Sequence, residues 1–289
     1  MQSADFDIVR IAGVSTLYLD SQNIEASLEY YREHQIDLLG INPMRGFLGR
    51  DLAFLREFPF VKGLEIVSPL SGGFDLDPIR ALKGLRSLTV SDKVSLDLRE
   101  FPELEELRVV WDKGLRLEGS SSLRLLHLRQ YRPKSGDLAE LPMLPKLEAL
   151  DLVQAPLKSL DGVERFPALR HLELAYTRTL RTLSALRTTK LESLFFKACP
   201  KIGDYAALAD VKGLRNLRIN GCARIPSLKF LDQLPVLKEF RFVGTSVEDG
   251  DLTPILRLHS VGFDAKRHYS HSPKEVEAIL AKNAVSRPS

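Results

Sequence analysis

The sequence predicts an α/β repeat protein: a curved solenoid with about twelve parallel strands on its concave face and short helices and turns on its convex face. Three observations predict it. Between Leu147 and Phe242 the motif L-x-x-[LF]-x-[LIF] occurs five times, opening at Leu147, Leu169, Leu191, Leu214 and Leu237, in steps of 22, 22, 23 and 23 residues. A fixed period in this range marks a solenoid. Within each copy two apolar residues stand two apart, as Leu150 and Leu152 do, so in an extended chain they share one face. One short strand cannot bury that face, but the next copy laid beside it can. Finally, an [LF]-P-x-[LV] unit precedes five strands, at Phe58-Pro59, Phe101-Pro102, Leu144-Pro145, Phe166-Pro167 and Leu234-Pro235. Proline lacks an amide hydrogen and disfavours helix in the residue before it, so it returns the chain to the sheet. Gly84 and Gly213 take the related slot in LKGL and VKGL, read as helix-ending glycines.

Two copies, LESLFFKACPKI (Leu191 to Ile202) and LRNLRINGCARI (Leu214 to Ile225), resemble the leucine-rich repeat of the short, bacterial-like type, with about 22 residues per copy. That resemblance implies an interaction surface on the concave face. It also implies that Cys199 and Cys222 occupy a buried position of the repeat that holds Asn, Cys or Thr, which Thr177 and Thr245 fill in adjacent copies.

Taken in order, Asp5 to Val14 alternates Phe6, Ile8 and Ile11 with polar residues and is expected to pair with or cover the first repeat, since an open end exposes core and sheet edge. Weaker copies follow at Val14, Ile36, Val61, Leu85, Leu104 and Leu123, and a last one at Leu258. Long steps leave room for short helices at Asp51–Glu57, Asp77–Leu82 and Leu138–Leu141; the units after Leu104 and Leu123 are expected to cross as turns or extended chain. In the tail, Ser272 reads as an N-cap, Pro273 as the first helical residue and Glu275 as the partner in a capping box. The expected organisation is an N-terminal cap over 1–13, the solenoid over 14–265 and a C-terminal cap with a short helix over 266–289.

Composition narrows the function. Forty-one basic and 38 acidic residues leave a net charge of +3, too balanced for an evident nucleic-acid binder. Two cysteines do not make a disulfide framework, which points to a reducing compartment. No apolar run reads as a signal peptide or a membrane span. The expectation is a cytoplasmic monomer that needs no cofactor and no metal. His268 and His271 stand three apart in a loop with no acidic or cysteine ligands near, and are read as part of the cap.

In the repeat the leucines point inward, so the residue between them points outward. That column runs Tyr18, Gly40, Glu65, Thr89, Arg108, His127, Asp151, Glu173, Phe195, Arg218, Arg241 and Gly262. Its middle, with the flanking Trp111, Arg129, Tyr131, Tyr176 and Lys197, is the candidate partner-binding surface, because Trp, Tyr and Arg dominate binding hot spots. The competing account of Arg108, His127, Asp151 and Glu173 is cross-strand ion pairing that keeps the sheet soluble. The expectation is a non-enzymatic module binding a protein partner, as an inhibitor, immunity protein or regulatory adaptor. The alternatives are a polyanion or nucleic-acid binder through Lys197, Arg218 and Arg241 and, last, an enzyme around His127, Asp151 and Glu173.

Overall fold

The computed structural model describes residues 6–49, 51–67 and 74–285. The start of the expected N-terminal cap, up to Asp5, and the last four residues of the C-terminal cap lie outside them. The chain divides into two units, 1–128 and 129–289.

In the first unit the strands follow one another in chain order: β1 (Asp7–Ile11), β2 (Val14–Tyr18), β3 (Leu38–Ile41), β4 (Gly63–Ile66), β5 (Ser87–Lys93), β6 (Glu106–Val110) and β7 (Leu125–Arg129). β1 pairs antiparallel with β2. Ala12 and Gly13 turn the chain at φ 51° and 87°, the paired left-handed residues of a two-residue hairpin. From β2 to β6 the strands pair in parallel, with one register shift between Val90 and Lys93 where β5 meets β6. Leu17, Leu39, Leu64, Leu88 and Leu107 lie side by side, and each is 0% exposed. The sequence reading missed a helix here, α1 (Ile24–Glu33). It buries Ser27, Leu28 and Tyr31, a spacing of three and four that fits a helical face.

The second unit repeats the plan with β8 (Ala149–Val153), β9 (His171–Ala175), β10 (Ser193–Lys197), β11 (Asn216–Asn220), β12 (Glu239–Arg241) and β13 (Ser260–Gly262). Leu150, Leu172, Leu194, Leu217 and Phe240 stand opposite one another, again at 0% exposure. The twelve sequence copies are therefore β2 to β13.

The outer segments are 3₁₀ turns: Ala53–Glu57 and Asp77–Ala81 in the first unit, Ser184–Thr188, Tyr205–Asp210 and Lys229–Gln233 in the second. Two of the expected helices thus tighten to 3₁₀, and the third does not form. Residues 138–141 make bends and turns, and the Leu138 amide donates to the Asp161 carbonyl of the next coil at 2.8 Å. No helix follows Leu104 before the next strand among the described residues, as the sequence led us to expect.

The Pro units form a single kind of turn. Val61 N donates to Phe58 O, Leu104 N to Phe101 O and Leu169 N to Phe166 O, at 3.3, 3.1 and 3.0 Å, which puts proline at the favoured second turn position. Gly84 and Gly213 sit in equivalent turns, closed by Leu85 N to Leu82 O and Leu214 N to Val211 O. Neither glycine has a positive φ, so their role is not the left-handed helix stop read from sequence.

At the strand exits of the second unit a different turn recurs. Gln130, Gln154, Tyr176 and Ala198 are non-glycine residues at φ 59°, 58°, 57° and 53°, and Gly221 and Gly244 continue the series at 59° and 71°. The left-handed residue of each coil passes its amide to the next: Gln130 N to Val153 O, Gln154 N to Ala175 O, Tyr176 N to Lys197 O and Ala198 N to Asn220 O, at 2.7 to 2.9 Å. These bonds extend the ladder past the strands and offset the roughly 1–2 kcal/mol that a left-handed non-glycine residue costs.

Helix α2 (Pro273–Val285) follows the last strand. Ser272 and Glu275 form the expected capping box: Glu275 N donates to Ser272 Oγ at 3.3 Å, and Ser272 N to Glu275 Oε2 at 2.7 Å. Val276 is buried, and Asn283 Nδ2 donates to Leu256 O at 3.0 Å. A cleft of about 540 Å³ opens between β13 and α2, lined by His259, Val261, Phe263 and Leu280.

Candidate functional site

Alternation along each strand raises two outward columns, the residue between the two inward leucines and the residue before the first of them. In the first unit the leading column begins with Tyr18. Its ring lies across Gly40, where a Cβ would come within 2.4 Å of Tyr18 Cδ1. Only glycine leaves room for the phenol to reach Glu65 Oε2 at 3.2 Å. Arg45 covers the other side of the ring at 4.5 Å from its centre and pairs with Asp7 at 2.8 Å. Burial, then the Glu65 carboxylate, pushes the Tyr18 phenol up. This end of the unit is closed by its own side chains.

Further along, Arg108 is half-buried and pairs at 2.7 Å with Glu106. The pair lies within β6, not across strands as the competing ion-pairing account had it. Trp111 and His127 are half-buried.

In the second unit the leading column is complete and in register: Asp151 opposite Glu173, Glu173 opposite Phe195, Phe195 opposite Arg218, Arg218 opposite Arg241. Asp151, Glu173 and Phe195 are half-buried, while Arg218 and Arg241 are exposed. The row is thus acidic at one end, aromatic in the middle and basic at the other. The Arg218 guanidinium carbon stands 4.5 Å over the Phe195 ring, and Lys197 Nζ 5.6 Å over Tyr176. Tyr176, Lys197 and Arg129 are exposed.

Tyr131 is not part of this surface. It is 3% exposed, and burial pushes its phenol up. The strand has ended and the chain has turned inward there, so alternation no longer says which way a side chain points.

A residue outside the candidate set joins the acidic end. His171 occupies the second outward column, two residues before Glu173 on β9, and its Nε2 lies 3.4 Å from Asp151 Oδ1. The Phe195 ring meets it edge-on, with centroids 4.9 Å apart and planes at 80°. The signal was present in HLEL (His171 to Leu174). Reading one outward column instead of two missed it.

Cys199 and Cys222 are both free, the first buried and the second half-buried. Cys199 Sγ donates to Leu174 O at 3.4 Å and Cys222 Sγ to Asn220 O at 3.3 Å. Thr245, one coil on, donates from Oγ1 to Ile219 O at 2.6 Å and accepts from Cys222 N at 2.9 Å. At Cys199, Cys222 and Thr245 the position bonds backbone, as the repeat resemblance implied, whereas Thr177 Oγ1 finds no hydrogen-bond partner among the described residues.

In each unit the strand-per-coil plan, with its leucine core and 3₁₀ returns, is that of a leucine-rich repeat solenoid. Among solved structures an internalin of Listeria monocytogenes is similar, at 14% identity over 89% of this chain and 86% of that chain, with a TM-score of 0.49. The functional domain of InlJ from the same organism, described as including a cysteine ladder, is 13% identical over 80% of this chain and 52% of that chain, at 0.46. A leucine-rich repeat protein of Leptospira interrogans is 15% identical over 91% and 87%, at 0.36. No protein-family model and no curated protein matches the chain. Among the described residues no helix is long and apolar enough to cross a membrane.

Proposed function

We propose that the protein is a non-enzymatic interaction module that holds a protein partner on the sheet face of its second unit. The observation that carries this reading is the in-register row Asp151, Glu173, Phe195, Arg218 and Arg241. A β-sheet fixes the spacing of such a row at about 4.8 Å per strand, so a partner meets side chains that are already ordered and loses little freedom in binding. The segregation of charge along the row favours a partner with the opposite polarity, since complementary potentials steer encounter and fix orientation. Phe195, flanked by Arg218, supplies the aromatic and arginine contact typical of a hot spot. Arg108, Trp111, His127, Arg129, Tyr176 and Lys197 are further proposed contacts on their own units. An inhibitor or a regulatory adaptor working as a monomer in the cytoplasm is the form we favour.

The test is capture of partners by the wild-type protein and by Phe195→Ala with Arg218→Glu, each checked for a native circular-dichroism spectrum. The expected result is a protein retained by the wild type and lost from the double variant, yet still held by a control variant such as Lys274→Glu in α2. Equal retention by all three removes this face from the reading. A second reading, polyanion binding through Lys197, Arg218 and Arg241, is favoured only by the exposure of these cations. It requires heparin or nucleic-acid affinity that falls steeply with salt.

A further inference from the structure

We infer that Asp151, His171 and Glu173 form a binding site for a divalent transition-metal ion of the zinc class. The inference goes beyond the partner-binding reading and does not depend on it. The three side chains each offer one ligand atom, and these atoms all lie within 4.8 Å of one another. Ligand atoms held about 2 Å from one tetrahedral ion stand about 3.4 Å apart, a separation that the Asp151–His171 pair, at 3.4 Å, already meets.

The scaffold presets this arrangement. Asp151 and Glu173 face each other on adjacent strands, and His171 shares the Glu173 face because it lies two residues back on β9. Two carboxylates directly opposite on neighbouring strands repel. A cation held between Glu173 and Asp151 would relieve that repulsion. The edge of Phe195 holds the imidazole from the other side. One nitrogen and two carboxylate oxygens suit zinc, manganese, cobalt or nickel better than calcium or magnesium, which take oxygen alone. All three residues are half-buried, so the fourth position opens to solvent, and a water or an incoming carboxylate or imidazole can occupy it.

The experiment is titration of the full chain with Zn²⁺ against a chromophoric chelator, together with Co²⁺ absorption spectra. Wild type, His171→Gln, Glu173→Gln, Asp151→Asn and Cys199→Ser/Cys222→Ser are compared, each confirmed folded by circular dichroism. The expected result is saturation at one equivalent in the wild type and in the cysteine variant. Each of the other three variants should bind at least about tenfold more weakly, since even residues behind a metal's ligands change affinity by 10–100-fold. The Co²⁺ spectrum should show d–d bands without a thiolate charge-transfer band. No saturable binding, wild-type affinity in both Glu173→Gln and His171→Gln, or a thiolate band lost in the cysteine variant would overturn the assignment. If His171→Gln fails to fold, Glu173→Gln and Asp151→Asn decide, because both substitutions are nearly isosteric on an outward face.

Discussion

The guanidinium of Arg218 lies 4.5 Å over the ring of Phe195, its partner in register on the neighbouring strand. The same ring meets His171 edge-on across the opposite strand. Phe195 therefore joins the acidic and basic ends of the row. An exposed cation–aromatic contact contributes about 0.5–1 kcal/mol, so Arg218→Ala should lower stability by no more than about that. Phe195→Ala removes two ring contacts and half-buried apolar surface, and should cost about 1–2 kcal/mol more than Arg218→Ala. Urea denaturation followed by circular dichroism measures both, and equal losses would contradict the bridging role.

The buried threonines of the repeat should behave in opposite ways. Thr245 Oγ1 makes two hydrogen bonds with backbone, so Thr245→Val strands a buried amide and a buried carbonyl and should destabilise by about 1–3 kcal/mol. Thr177 is equally buried, but its Oγ1 has no hydrogen-bond partner among the described residues. Thr177→Val should then be neutral or stabilising, because it removes a desolvated hydroxyl. Thermal unfolding of the two variants gives the sign of each change.

Helix α2 should depend on pH through its cap. Hydrogen bonds from the Ser272 amide and hydroxyl hold the Glu275 carboxyl below its usual value of 4.5. A depressed folded-state pKa means that the stabilisation is fully present above the unfolded value and is lost as pH falls through the folded one. Hydrogen exchange of the α2 amides should therefore speed up relative to the sheet below about pH 4. In Glu275→Gln this acid-specific loosening should disappear, and its persistence would show that another group titrates there.

The thiols should resist modification in the folded protein. Cys199 is 0% exposed, and the neighbouring Cys199 thiol, followed by burial, pushes the Cys222 thiol up. A raised thiol offers little of the reactive thiolate near neutral pH. A colorimetric thiol reagent at pH 7 should label neither cysteine until denaturant is added, when both of the chain's two cysteines react. Rapid labelling of Cys222 in native buffer would contradict this.

The left-handed strand exits can be probed with glycine. Ala198 at φ 53° carries strain that glycine lacks, while glycine loses more freedom on folding. The first effect is about 1–2 kcal/mol and the second about 0.5–1, so Ala198→Gly should be stabilising by up to about 1 kcal/mol. Ala198→Val should be clearly destabilising, since a β-branched residue fits a positive φ poorly. Paired melting curves decide it.

What was legible in the sequence was whatever the period controls. Leu150, Leu172, Leu194 and Leu217 could be placed because burial on one face forces strict alternation, and the outward residues between leucines followed at no extra cost. Legibility ended where alternation ended. Tyr131 lies beyond its strand, so the reading put a core phenol on the surface. The segment 138–141 looked long enough for a helix, yet it makes bends and turns whose first amide bonds the next coil. Helix α1 was hidden because Ile24, Leu28 and Tyr31 fall between two weak copies whose spacing alone drew attention. His171 was overlooked although its position was equally outward, and its importance lies in what Asp151 places beside it, a pairing that spacing on a single strand does not reveal.

The left-handed turn shared by Gln154, Tyr176 and Ala198 hands the chain from coil to coil at the same angle and with the same amide donor. Any stretch cut between two such points begins and ends in equivalent backbone geometry. The 22 residues from 155 to 176 could be excised or copied in tandem without inventing a new junction. Length in this molecule is therefore an adjustable trait, and the reach of its display can grow or shrink by whole coils.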